Sequence, residues 1–173
     1  DSNYDGAYLN RFLSGTYTPG STFKLVTSAA ALETLHNEDS FSYTCKGSLT
    51  LNGEKITCPS VHGTQDLATA LANSCNGAFA TLATQVGGKT LEKYAKEAGL
   101  TSKVNVNGLN SAAGNFTAGT SDNDVGWSGV GQYKDLVNPC AELTLMGCIA
   151  QGGSAATPRL LKSVTSSKGL PVA

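Results

Sequence analysis

The sequence predicts an α+β fold in which helices dominate. Apolar residues recur at helical spacing over 21–35, 64–86, 91–98 and 139–149, the mark of helices with one buried face. Against these stands one short β signal, Asn52-Gly53 between the alternating runs 48–51 and 54–57. That pair is the strongest local sign of a hairpin. The 173 residues suffice for one domain with a sizeable core.

Composition narrows the function classes. With 40% hydrophobic and 14% charged residues, the chain has enough apolar surface to fold. A formal net charge of −1 without any Lys/Arg run argues against nucleic acid as the main partner. No apolar run approaches the roughly 18 residues of a membrane span, so the stretch is expected to be soluble and to carry no signal peptide. It begins at Asp1 rather than Met, which suggests a piece of something longer.

In chain order, residues 1–20 read as an irregular lead-in that ends in the breaker pair Pro19-Gly20. From Ser21 the pattern turns helical, with Phe23, Val26, Ala30 and Leu35 on one stripe, and should stop near His36. The hairpin follows, with Leu51 opposite Glu54. Thr64-Gln65-Asp66 looks like a helix start for the face of Leu67, Ala70 and Leu71. The polar run Asn73-Ser74-Cys75-Asn76-Gly77 interrupts that face, and Phe79, Leu82, Ala83 and Val86 resume it as far as Gly87-Gly88. A short helix over 91–98 closes at Gly99. Residues 100–135, rich in Gly, Asn, Ser and Asp, read as a long loop region. Pro139 opens a helix to about Ile149, Gly152-Gly153 ends it, and 160–164 suggests a strand.

Five cysteines leave at least one thiol unpaired. The hairpin register puts Gly47 opposite Cys58 and Cys45 one diagonal away. A disulfide at the hairpin base and two reduced thiols weigh about equally on that geometry. A zinc site from Cys45, Cys58 and His62 lacks paired-ligand spacing and a fourth ligand, so no metal is expected.

Ser21 and Lys24 carry the chemical interest. One helical turn stacks residues three apart on the same face, and a serine becomes nucleophilic only when a neighbouring base takes its proton. Lysine can be that base if burial and the positive end of a helix dipole hold it neutral. The N–H groups of the same helix start could hold a developing oxyanion. A serine cap followed by a surface lysine would spell the same four letters, so the surrounding residues decide.

Pro19-Gly20-Ser21-Thr22-Phe23-Lys24, with Asn10-Arg11 ahead, closely resembles the active-site segment of penicillin-binding proteins, most of all the class B branch. Cys45-Lys46-Gly47, Cys58, His62-Gly63, Ala70 to Asn76, Phe79, Gly131-Gln132, Asn138-Pro139 and 149–153 resemble further landmarks in the family's order. The resemblance implies that Ser21 is the acylated nucleophile and Lys24 its base. It implies that Ser74 relays a proton to the leaving amine and that Asn76 holds the substrate amide.

It further implies that residues 1–173 are the helical part of a β-lactamase/transpeptidase-like domain, with most of the central sheet missing. The parent would be a D,D-transpeptidase that cross-links peptidoglycan stem peptides on the outer face of the membrane. β-Lactams would be its inhibitors, and no cofactor is needed for acyl transfer. The same resemblance leaves open a β-lactamase or β-lactam sensor. A non-catalytic helical binding module is the reading from another class.

Other spellings fall away. Ser121-Asp122-Asn123 spells a β-lactamase motif but sits in a Gly-rich run without an apolar frame, and a turn is expected there. Gly87-Gly88-Lys89-Thr90 lacks the first glycine and the preceding strand of a phosphate loop. His62 is expected to be a structural loop histidine, and Trp127 either lines a groove or pins a loop. The family's Lys-Thr-Gly motif is absent; Ser167-Lys168-Gly169 reads as a turn. This stretch alone is therefore expected to be a poor catalyst that reacts little with penicillin.

Overall fold

A computed structural model describes residues 6, 8–36 and 40–172. Residues 1–5 and 37–39, at the edges of the lead-in and beyond the first long helix, lie outside the described residues. Within the described residues the helices are α1 (Arg11–Ser14), α2 (Lys24–Leu35), α3 (Leu67–Ala72), α4 (Asn76–Val86), α5 (Gly88–Glu97), α6 (Asp122–Gly129) and α7 (Pro139–Ala150). The strands are β1 (Tyr43–Cys45), β2 (Ser48–Leu51), β3 (Glu54–Thr57), β4 (Gly63–Gln65), β5 (Asn105–Val106) and β6 (Leu109–Asn110). They form three antiparallel pairs, β1–β4, β2–β3 and β5–β6. The fold is α+β and mostly helical, as expected.

Helix α4 is the centre. Ala78, Phe79, Ala80, Leu82 and Ala83 along it are fully buried, and α2, α3, α5, α6 and the β2–β3 hairpin pack around it. Four of its residues are alanines or glycines, so neighbours approach its backbone closely. On α6, a Cβ at Gly126 would come within 2.9 Å of Ile56 Cδ1, and one at Gly129 would overlap the Cβ of Ala83. Phe23 stacks on Phe116, ring centroids 4.4 Å apart, and so joins the start of α2 to the segment before α6.

Several elements match the sequence expectation. The β2–β3 register is Leu51↔Glu54 through Ser48↔Thr57, and Cys58 N–H donates to Gly47 O at 2.9 Å. Helix α2 ends at Leu35 with His36 left-handed at φ 50°, and α7 carries Pro139 in its first turn.

Others need correction. The lead-in holds a one-turn helix, α1, capped by Asn10, whose side chain accepts from Leu13 N–H. Thr64 and Gln65 belong to β4, and Asp66 alone caps α3. Residues 100–135 are not one loop. Asn107-Gly108 turns the β5–β6 hairpin, and α6 begins at a cap formed by Ser121, whose Oγ accepts from Asp124 N–H at 3.1 Å. That cap, with Asp122 and Asp124 in the first turn, suits the helix dipole. Trp127 packs on the core and so pins this region. The strand expected over 160–164 does not form; Leu160, Leu161 and Val164 are more than half exposed. The turn expected at Ser167-Lys168-Gly169 is present.

The close α4–α6 approach yields a stability prediction. Gly129→Ala forces the helices apart and should cost about 1–3 kcal/mol, the usual range for overpacking a filled core. A thermal melt should show a Tm lower by several degrees; an unchanged Tm would mean that α6 can slide without loss.

Candidate active site

The site grows from the start of α2. Pro19 sits at φ −66° and Gly20 at φ +59°, a left-handed turn that glycine adopts without strain. Gly20–Phe23 then forms a single 3₁₀ turn that runs into α2. In a 3₁₀ turn residues three apart eclipse. Ser21 and Lys24 therefore meet, Lys24 Nζ donating to Ser21 Oγ at 3.1 Å. The helix expected from Ser21 is thus tighter at its head than an α-helix, and this shortens the distance between the two groups. Gly131, at φ +74°, lies directly against Gly20, and Gly20 N–H donates to Gly131 O at 2.9 Å.

The break between α3 and α4 supplies the other half. Ser74 sits in the left-handed region at φ 51° and turns the chain so that its carbonyl and hydroxyl both face Lys24. Lys24 Nζ donates to Ser74 O at 2.7 Å, Ser74 Oγ at 2.8 Å and Asn76 Oδ1 at 2.7 Å. Ser74 Oγ donates to Ser21 Oγ at 2.9 Å. The Asn76 amide donates to Thr57 O at 2.8 Å, which ties the break to the end of β3. The pairs Ser21–Lys24 and Ser74–Asn76, distant from each other in sequence, form one cluster. Ser121 takes no part in it.

Lys24 is completely buried, its Nζ 5.8 Å from the centroid of the Phe79 ring. Burial lowers its pKa from 10.5 to about 8, while the nearby Cys58 and Cys75 push the other way. The geometry defines what the neutral form does. An uncharged amine has two N–H bonds and one lone pair. Ser74 O and Asn76 Oδ1 can only accept, so they take the two N–H bonds. The lone pair is left for the hydroxyls of Ser21 and Ser74. Ser21 itself is exposed, so a base-activated oxygen there can meet a ligand from solvent.

The arrangement can be placed among known proteins. The penicillin-binding protein transpeptidase domain family matches residues 1–173. The chain belongs to that family. The peptidoglycan D,D-transpeptidase PbpA of Mycobacterium tuberculosis is 31% identical over 162 residues, which cover 90% of this chain and 33% of that protein. The penicillin G acyl-enzyme complex of penicillin-binding protein A from M. tuberculosis superposes with a TM-score of 0.80 at 29% identity. It covers 95% of this chain and 39% of the other. Penicillin-binding protein PBP2 from Helicobacter pylori gives a TM-score of 0.81 at 26% identity over 92% of this chain and 32% of its own.

The chain thus spans about a third of the length of these transpeptidase relatives. None of its helices, among the described residues, is long and apolar enough to cross a membrane.

Two site features escape sequence reasoning. The Thr57 carbonyl that holds Asn76 is a backbone group at the end of β3, and no side-chain motif marks it. Cys75, between Ser74 and Asn76, points the other way, into the core at 0% exposure, beside Cys58 with sulfurs 3.9 Å apart. Only its place in the motif hinted at a role.

The Lys24 environment predicts a direct titration result. Carbon NMR of the lysine side chains should show one residue, lost in Lys24→Arg, whose midpoint lies near 8 instead of near the 10.4 typical of exposed lysines.

Proposed function

We propose that residues 1–173 carry the acylation half of a serine D,D-transpeptidase that cross-links peptidoglycan. The observation that carries this reading is the buried Lys24 amine, hydrogen-bonded at once to Ser21 and to the Ser74–Asn76 break. Neutral Lys24 takes the Ser21 proton, directly or through Ser74 Oγ. Ser21 Oγ attacks the carbonyl carbon of a D-Ala-D-Ala stem peptide, and the peptide C–N bond breaks as the acyl–serine ester forms. The proton returns through Ser74 to the departing amine. An acceptor amine then attacks the ester and restores Ser21. β-Lactams mimic the dipeptide and leave the same ester on Ser21.

Asn76 has a double role. Its Oδ1 fixes Lys24, and one amide proton is used by Thr57 O. The second amide proton remains for a substrate carbonyl. The parent protein acts on the outer face of the cytoplasmic membrane, where its polymeric substrate lies. The relatives named as peptidoglycan D,D-transpeptidases support this substrate class.

Labelling with a fluorescent penicillin followed by intact mass tests the roles. In the full-length protein Ser21→Ala should give no adduct. Ser74→Gly, chosen because glycine accepts the local backbone, should acylate at least about 10²-fold more slowly, the lower end of general acid–base contributions. An adduct that survives in Ser21→Ala, or an unchanged rate in Ser74→Gly, would defeat the assignment.

A further inference from the structure

Behind the catalytic cluster lies a second group of side chains that the acylation chemistry does not use. Cys45 from the end of β1, Cys58 just beyond β3, His62 before β4 and Cys75 at the head of α4 converge there. Their ligand atoms all lie within 4.8 Å of one another. Cys45 and Cys75 are fully buried. Nδ1 of His62 is buried and has no hydrogen-bond partner, an uncommon and costly state for a polar atom. Sequence spacing gave Cys45, Cys58 and His62 no fourth ligand. The fold brings Cys75 to them from the Ser74–Asn76 break.

We propose that these four residues bind a structural Zn²⁺ ion. Three cysteines and one histidine form one of the standard closed zinc sets, and soft thiolates favour zinc over the hard cations. With Zn–S bonds near 2.3 Å, a tetrahedral site places its sulfurs about 3.8 Å apart; the Cys58–Cys75 separation is 3.9 Å. The outer shell also fits. Gly47 N–H donates to Cys45 Sγ at 3.5 Å, and Gly77 N–H to Cys58 Sγ at 3.3 Å. Amide donors of this kind orient ligand sulfurs and offset their charge. Each thiol gives up its proton to solvent as the metal binds, and no redox step is involved.

A disulfide explains the group less well. It would join two sulfurs, leave the third thiol outside the bond, and leave His62 Nδ1 still without a partner. The ion ties β1, β3, the 58–63 loop and α4 together at one point. Through Cys75 it fixes the backbone that carries Ser74 and Asn76, so the three cysteines and His62 act as positioning residues, outside the chemistry.

The site stands independently of the transpeptidase reading, since zinc content and penicillin labelling are separate measurements. Full-length protein, purified with reductant and without chelator, should contain stoichiometric zinc by elemental analysis. Its cobalt-substituted form should show the charge-transfer and tetrahedral d–d bands of a thiolate site. Cys45→Ser and His62→Ala should weaken zinc by more than the roughly 10–100-fold lost with an outer-shell partner. Cys148→Ser, outside the cluster, should bind as the parent does. After the metal is stripped under reducing conditions, penicillin acylation of Ser21 should slow and recover with added zinc.

The parent protein is read first by cobalt spectrum, so a variant that fails to fold does not obscure the answer. Reduced parent protein that takes up neither zinc nor cobalt overturns the proposal. So does a folded Cys45→Ser or His62→Ala variant that binds zinc like the parent. Freshly isolated protein with a native Cys–Cys crosslink in this cluster and no metal overturns it as well.

Discussion

The arrangement of this protein depends on placing a lysine amine where water cannot reach it. Lys24 has no exposed surface, yet it stands one turn from an exposed serine. Burial destabilises its charged form, and the cost is limited by three oxygen contacts from the α3–α4 break. Those contacts hold the amine in position without supplying a carboxylate, which would have kept it protonated. An amine whose pKa is lowered to about 8 and an exposed hydroxyl therefore come from the same few residues.

Much of the remaining structure keeps those residues in register. The break must present Ser74 O, Ser74 Oγ and Asn76 Oδ1 together, so Ser74 adopts a left-handed backbone and Asn76 is held by Thr57 O. Helix α4 is small-sided so that α2, α6 and the hairpin can close on it. Asn138 ties the lead-in to α7: its amide donates to Leu13 O at 3.0 Å and Gly15 O at 2.7 Å. Backbone bonds between Tyr17 and Val137 fix the chain just before Pro19. Gly131 packs against Gly20 from the other side. Several landmarks that make the chain resemble its family are thus contacts that hold the turn carrying Ser21.

The parts of the site readable in the sequence were those written as local patterns. Ser21 and Lys24, three apart, form a local pattern that the resemblance of the surrounding residues to penicillin-binding proteins singled out. Ser74 and Asn76, two apart, were marked by that same resemblance. The β2–β3 hairpin was readable from its local pattern alone. Helix α6 was hidden because its glycines, needed for close approach to α4, resemble loop composition. The β5–β6 hairpin carries the same Asn-Gly signal as the first, at Asn107-Gly108, but lies in a polar window that obscured its short strands. The apolar residues near 160–164 suggested a strand, yet a strand needs a neighbour to bond with, and local letters do not supply one. The company of Cys75 was illegible because it depends on distances across three separate turns.

The central claim is that neutral Lys24 activates Ser21. It is tested most directly by the pH dependence of Ser21 acylation by penicillin in the full-length protein. The rate should rise with pH, reach half its plateau near 8, and level off above. Lys24→Arg, which stays cationic, should lose at least about 10²-fold at every pH. A profile that is flat from pH 6 to about 9, or a Lys24→Arg variant that acylates like the parent, would contradict the account.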